Sequence, residues 1–357
     1  NIKIAFGAAE ASGKLKRTAR NKLLASMTDE VAALVLRNNY LQTLCLSLGV
    51  ARANDEIGYN ARLMRSFESR GLLDRKLEAL PDEKVLAERN AAAAGLTRPE
   101  LAILMAYAKI VLFDQILDSP VPDDPYLGRE LVRYFPDRMT GKYATEIAGH
   151  KLRREIIATM LANSMINRGG PSFVWRLKEE TGQGIAAITA AYALARDSFG
   201  FVSLNEGIDR LDNRIPTALQ TDMYLELQSL MRRLTIWYLR NAPLQQGLEE
   251  LVAHYTAGIA ELSASLSKVL PENARAPLKE RVEAYMKAGV PEAIARTFAG
   301  LRYLQRGPDV VLVASETGRS IETVARVFFE AAGDLGVDRL ISQAVSLKAR
   351  DFYERLA

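Results

Sequence analysis

Apolar residues recur at intervals of three and four along most of the 357-residue chain, the period of helices with one buried face. The clearest case is the stretch from Leu96 to Ile116, LTRPELAILMAYAKIVLFDQI. Its Thr97-Arg98-Pro99-Glu100 start reads as a capping box with proline in the first turn, and an apolar body follows. Thr28, with Asp29 and Glu30 behind it, opens a helix predicted to run towards Leu48. Residues 56–70 predict another, rich in arginine on its outer face. Asp124 before Pro125 starts a helix that Pro136 ends. One long helix is predicted over 144–168, closed by Gly169-Gly170, and a short one over 171–180, ended by Gly182. Further helices follow over 184–199, 204–211, 216–240 and 244–270. In 216–240, Met223, Leu227, Leu230, Met231, Leu234, Trp237 and Tyr238 share one face. From Pro277 the pattern breaks into short helices at Pro291, Pro308, Gly318 and Gly333.

The start of the chain reads differently. NIKIAF alternates apolar and polar residues over its first four positions, as a strand does, and 7–13 reads as a loop of small residues. A lone strand leaves its backbone groups unpaired, so it suggests the last strand of a sheet lying upstream. The predicted fold class is therefore all-α: a multi-helix domain with a short N-terminal strand left over from an upstream α/β domain. The expected divisions are the tail of that upstream domain with a connector over 1–13, a main helical domain over 14–270 and a terminal helical subdomain over 271–357, parted at PENARAP.

Composition narrows the class. Hydrophobic residues make up 48% and charged residues 25%, which fits a packed globular core and not a disordered chain. The excess of 47 basic over 43 acidic residues is too small to mark a nucleic-acid binder unless the charge is clustered. A lone cysteine, Cys45, excludes an internal disulfide framework and fits a reducing compartment, the cytoplasm. The most apolar run, 101–117, is interrupted by Lys109, Asp114 and Gln115 and falls short of a membrane span. The N-terminus lacks a signal-peptide layout and an initiator methionine, so the chain reads as part of something longer.

Candidate chemistry is sparse. Gly182-Gln183-Gly184 lacks both the preceding strand and the third glycine of a dinucleotide loop, and reads better as a helix end before a new helix. His150 and His254 are the only histidines; Glu250 and His254 share a helix face, but zinc needs three or four ligands. Cys45 lies in the apolar run LQTLCLSL and reads as a core residue. No G-x-S-x-G turn or Walker-type loop occurs. No catalytic, cofactor-binding or metal residue is expected. The sharpest basic cluster is Lys151, Arg153 and Arg154, open to three readings: a solvated helix face, a face that docks an acidic surface, or a contact for nucleic acid or anionic membrane. Asn163 and Asn167 extend the stripe of Leu152, Ile156 and Met160, either as helix-end caps or as polar contacts with a neighbouring domain. These five residues are the interface candidates.

The segments NNYLQTLCLSL (38–48), LTRPELAILMAYAKI (96–110), DDPYLGRELVRYFP (123–136), HKLRREIIATMLANSMINRGG (150–170) and VWRLKEETG (174–182) closely resemble the C-terminal region of the large bacterial NAD-specific glutamate dehydrogenases. LDNRIP (211–216), LMRRLTIWYLR (230–240), VPEAIARTFAGL (290–301) and ETGRSIETVARVFF (316–329) extend the resemblance over almost the whole chain. It implies a parent enzyme that oxidatively deaminates L-glutamate to 2-oxoglutarate and ammonia with NAD, a cofactor not expected to bind within this chain. It also implies an all-helical, non-catalytic region whose partners are the upstream catalytic domain and sister copies in a homo-oligomer, with neither nucleic acid nor membrane. The family's catalytic lysine and aspartate and its NAD loop lie upstream of Asn1, and members usually run past a segment such as DFYERLA (351–357). The alternative is a free-standing helical scaffold that binds protein partners.

Overall fold

The computed structural model describes residues 1–336; residues 337–357, the end of the expected 271–357 subdomain, lie outside the described residues. Every regular element among the described residues is helical, so the molecule is all-α. In chain order the helices are α1 (Ile2–Ala11), α2 (Arg17–Ser26), α3 (Thr28–Ala51), α4 (Ala53–Glu68), α5 (Glu83–Ala91) and α6 (Arg98–Leu117). After a 3-10 turn at Val121–Asp123 come α7 (Arg129–Tyr134), α8 (Asp137–Thr140), α9 (Ala144–Ala148), α10 (Arg153–Gly169), α11 (Phe173–Thr181) and α12 (Ile185–Ser198). The series ends with α13 (Phe201–Asp209), α14 (Thr217–Asn241), α15 (Leu248–Val269), α16 (Glu272–Lys287), α17 (Glu292–Leu304), α18 (Gly307–Thr317) and α19 (Ile321–Asp334).

Two compact units hold these helices: residues 1–196 with 224–249, and, among the described residues, 197–223 with 250–336. In the first unit α10 packs along α6 and also meets α3 and α7. Its Ile156, Ile157, Leu161, Met165 and Ile166 are buried, as are Leu101, Leu104, Met105, Ala108 and Leu112 on α6. These two rows form the centre of the unit's core. The capping box starts α6 as the sequence predicts: the Thr97 N–H donates to Glu100 Oε2 at 2.7 Å. In the second unit α16 pairs with α17 and α18 with α19. Gly182 ends α11, and Gly318 ends α18, each with a left-handed φ near +65°.

Several elements depart from the sequence reading. The predicted N-terminal strand is helix α1, and the predicted loop over 7–13 is helical as far as Ala11. Ala5, Phe6 and Ala9 are its buried residues, a helical spacing that four alternating positions could not reveal. Phe6 meets Tyr143 edge-on at 5.0 Å and seats α1 on α9, which satisfies the segment without a sheet. The single helix predicted over 144–168 is two, α9 and α10. The break is held by His150, buried, whose Nδ1 accepts from the Leu152 N–H at 3.0 Å while Nε2 lies 3.1 Å from the Asn1 carbonyl. Pro277 does not start a helix but lies inside α16, and Gly333 lies inside α19. Among the described residues no single helix is long and apolar enough to cross a membrane.

Candidate functional site

The basic run singled out from sequence sits where the chain enters α10. Arg154 pairs with Asp123 and donates to the carbonyl oxygens of Leu117 at 2.7 Å and Ser119 at 3.2 Å. Arg153 reaches the other oxygen of Asp123 at 3.5 Å. Both guanidinium groups therefore tie α10 to the 3-10 turn after α6, and only Lys151 of the three points freely outward among the described residues. Asn163 is half-buried further along the helix. Asn167 is buried, and its Oδ1 has no hydrogen-bond partner among the described residues. The structure thus brings the two arginines together and leaves the two amides apart from them.

The other singled-out residues have local explanations. Cys45 is buried, donates to the Ile166 carbonyl at 3.3 Å, and its thiol is pushed up to about 12 by burial, a poor nucleophile. His254 Nε2 lies 3.1 Å from Ser315 Oγ. A dinucleotide cradle needs a strand running into its glycine turn. Gly182 instead caps α11, so these residues do not fit NAD.

Two features carry no motif in the sequence. The first is a buried ion cluster: Glu130 Oε1 accepts from Arg133 at 2.6 Å and from Arg196 at 2.7 Å, with Glu130 and Arg196 almost wholly enclosed. Its members come from α7 and α12, too far apart in sequence for spacing to expose them. The second is a cleft of about 510 Å³ between α4 and α11, with Gln115 of α6 at its wall. Arg176 lies over the Tyr59 ring at 3.8 Å and Arg62 lies over it at 4.6 Å. Phe67 and Trp175 meet edge-on at 5.0 Å beneath them. The arginine-rich outer face of α4 was legible in the sequence; that it faces more cations on α11 was not.

A third feature is a surface. Helix α2 has no buried residue, and the buried residues of α3, Cys45 and Leu48, both lie in its second half. In the first half Leu34, Val35 and Leu36 stand 43%, 55% and 66% exposed in succession. Successive helical positions point about 100° apart, so these three exposed aliphatic side chains form an apolar band spread around this half of α3.

These helical units define an all-α protein. Comparison then identifies the family. The family model for the C-terminal region of glutamate dehydrogenase matches residues 93–357, and the model for the catalytic domain of bacterial NAD-glutamate dehydrogenase matches residues 1–49. The chain belongs to the glutamate dehydrogenase C-terminal family. It is 39% identical over its full length to the NAD-specific glutamate dehydrogenase of Pseudomonas aeruginosa and 37% identical to that of Halomonas elongata. The NAD-specific glutamate dehydrogenase of Mycobacterium tuberculosis is 32% identical, again across the whole chain. The chain spans 22% of the length of each of these curated relatives.

Proposed function

We propose that the chain serves as the helical, non-catalytic C-terminal region of an NAD-specific glutamate dehydrogenase, packing against that enzyme's catalytic domain. The reaction assigned to the whole enzyme is oxidative deamination of L-glutamate to 2-oxoglutarate and ammonia, with NAD taking the hydride. Residues of the catalytic domain outside this chain hold NAD and perform the transfer. A cytoplasmic homo-oligomer is the setting proposed for it.

The observation that carries this reading is the apolar surface at Leu34–Leu36. It lies inside residues 1–49, the stretch that matches the catalytic-domain family model, and its three side chains stay 43%, 55% and 66% exposed in this chain. Covering three aliphatic side chains is worth several kcal/mol at about 25 cal/mol per Å², so this half of α3 is suited to fastening the helical region to its catalytic neighbour. Lys151, exposed beside the two spent arginines, is the member of the basic run free to join such a contact.

The test is Val35→Asp with Leu36→Asp in the full-length enzyme. Glutamate-dependent NADH formation should fall at least several-fold, while helix content stays at the wild-type level because these side chains support no core. Wild-type activity together with wild-type resistance to proteolysis around residues 27–40 would defeat the docking role. NADH formation by the isolated 357-residue chain would defeat the non-catalytic reading separately.

A further inference from the structure

The cleft between α4 and α11 carries more positive charge than its own carboxylates neutralise. Arg62, Arg70, Arg176 and Lys178 line it, against the single carboxylate of Glu179. Glu179 is engaged by Arg62 at 3.3 Å, and Arg176 is held from behind by Glu56 at 2.7 Å. Among the described residues neither Arg70 nor Lys178 has a carboxylate partner; Lys178 Nζ has only the neutral Gln115 Oε1, at 3.4 Å. The Arg176 Nε–H is buried and has no acceptor. Burial depresses the Lys178 ammonium below the usual lysine range, and the charge of Arg70 depresses it further.

Two uncompensated cations facing one cavity repel each other, and a buried donor without an acceptor costs stability on its own. An anion seated between them relieves both. The remaining geometry is preformed for it. The Tyr59 ring and the Glu56 carboxylate fix the Arg176 guanidinium in place, so little of its side-chain entropy is lost when a ligand binds. Guanidinium and ammonium donors lining one cleft suit a doubly charged oxyanion. A cavity of about 510 Å³ has room for more than the charged group itself.

The geometry points to a binding site for a small divalent oxyanion, a phosphate group or a paired dicarboxylate, in the cleft formed by Arg70, Arg176 and Lys178. The site stands on the cleft alone and does not depend on the docking role of α3. Equilibrium dialysis of the full chain against labelled inorganic phosphate and against labelled succinate, at constant ionic strength in chloride, measures it directly. Saturable binding at one site per chain is expected for at least one probe, and the tighter probe tells which oxyanion the cleft takes. Lys178→Gln with Arg70→Gln should weaken binding roughly a hundredfold, about tenfold per charge removed. Lys178→Arg should retain most of it. Circular dichroism on each variant establishes that it is folded, and Arg70→Gln alone, on an exposed side chain, supplies a variant whose fold is not at stake. Absence of saturable binding for both probes, or affinity unchanged in the folded variants, overturns the site.

Discussion

Glu130 is the most deeply buried charged residue among the described residues. Its carboxylate is shielded from water and accepts from two guanidinium groups, one of them, Arg196, equally buried. A buried pair of this kind contributes little relative to apolar side chains of the same volume, but removing one partner strands the other charge in low dielectric. Arg196→Met is therefore expected to lower unfolding stability by about 3–5 kcal/mol, measured by urea denaturation. Adding Glu130→Met should recover part of the loss, because it removes the stranded carboxylate. A single variant as stable as the wild type would show that the pair is solvated in solution. Neither residue announced this role in sequence: arginine at 196 sits in an alanine-rich helix and glutamate at 130 in a short helix with charged residues on both sides. Only the folded chain puts them 2.7 Å apart.

At the scale of elements, the helix ends were the most legible parts of the sequence, and α6 shows why. Its capping box closes within four residues, and Glu100 also accepts from Arg89 at 2.6 and 3.0 Å. Burial pushes the Glu100 carboxyl up, but the Arg89 guanidinium and the Thr97 N–H outweigh it and hold the group below the ordinary carboxylate range. A depressed folded-state value stabilises the protein at pH above the unfolded value, and that contribution is lost as pH falls through the folded one. Glu100→Gln should thus cost about 1 kcal/mol near neutrality, read as a lower Tm. The gap from wild type should close in acid as both side chains become neutral. A gap that persists unchanged to about pH 3, below ordinary carboxylate titration, would exclude the ionised cap as its cause.

Helix packing was less legible than helix ends. Gly258 lies inside α15, where alanine would ordinarily gain about 1 kcal/mol of helix propensity. A Cβ there would stand 2.5 Å from Val311 Cγ2 and 3.2 Å from its Cγ1, and a β-branched side chain cannot rotate away freely. Gly258→Ala should therefore lower the Tm in spite of its propensity, with overpacking costing about 1–3 kcal/mol. Val311→Ala in the same chain should restore it, and a raised Tm in the single variant would show that α18 yields at this contact. From sequence alone, glycine in a helical pattern signals only a weak helix.

At the scale of the whole molecule, the surfaces matter most, and they divide into spent and unspent. The basic run that stood out along the chain is largely spent, since Arg153 and Arg154 secure Asp123. The unspent surfaces are the bare aliphatic row on α3 and the cationic cleft between α4 and α11. The sequence by itself determined the all-α class, most helix starts and stops, and the family, because capping, periodicity and motif order are local and survive in one dimension. It misjudged the first eleven residues, where four alternating positions fit a strand as well as a helix and only the seat of Phe6 against Tyr143 decides. Tertiary structure alone decided which charges are neutralised, which glycines are crowded and which apolar residues stay bare. Each of those depends on the distance between residues far apart in the chain, and no local pattern encodes that distance.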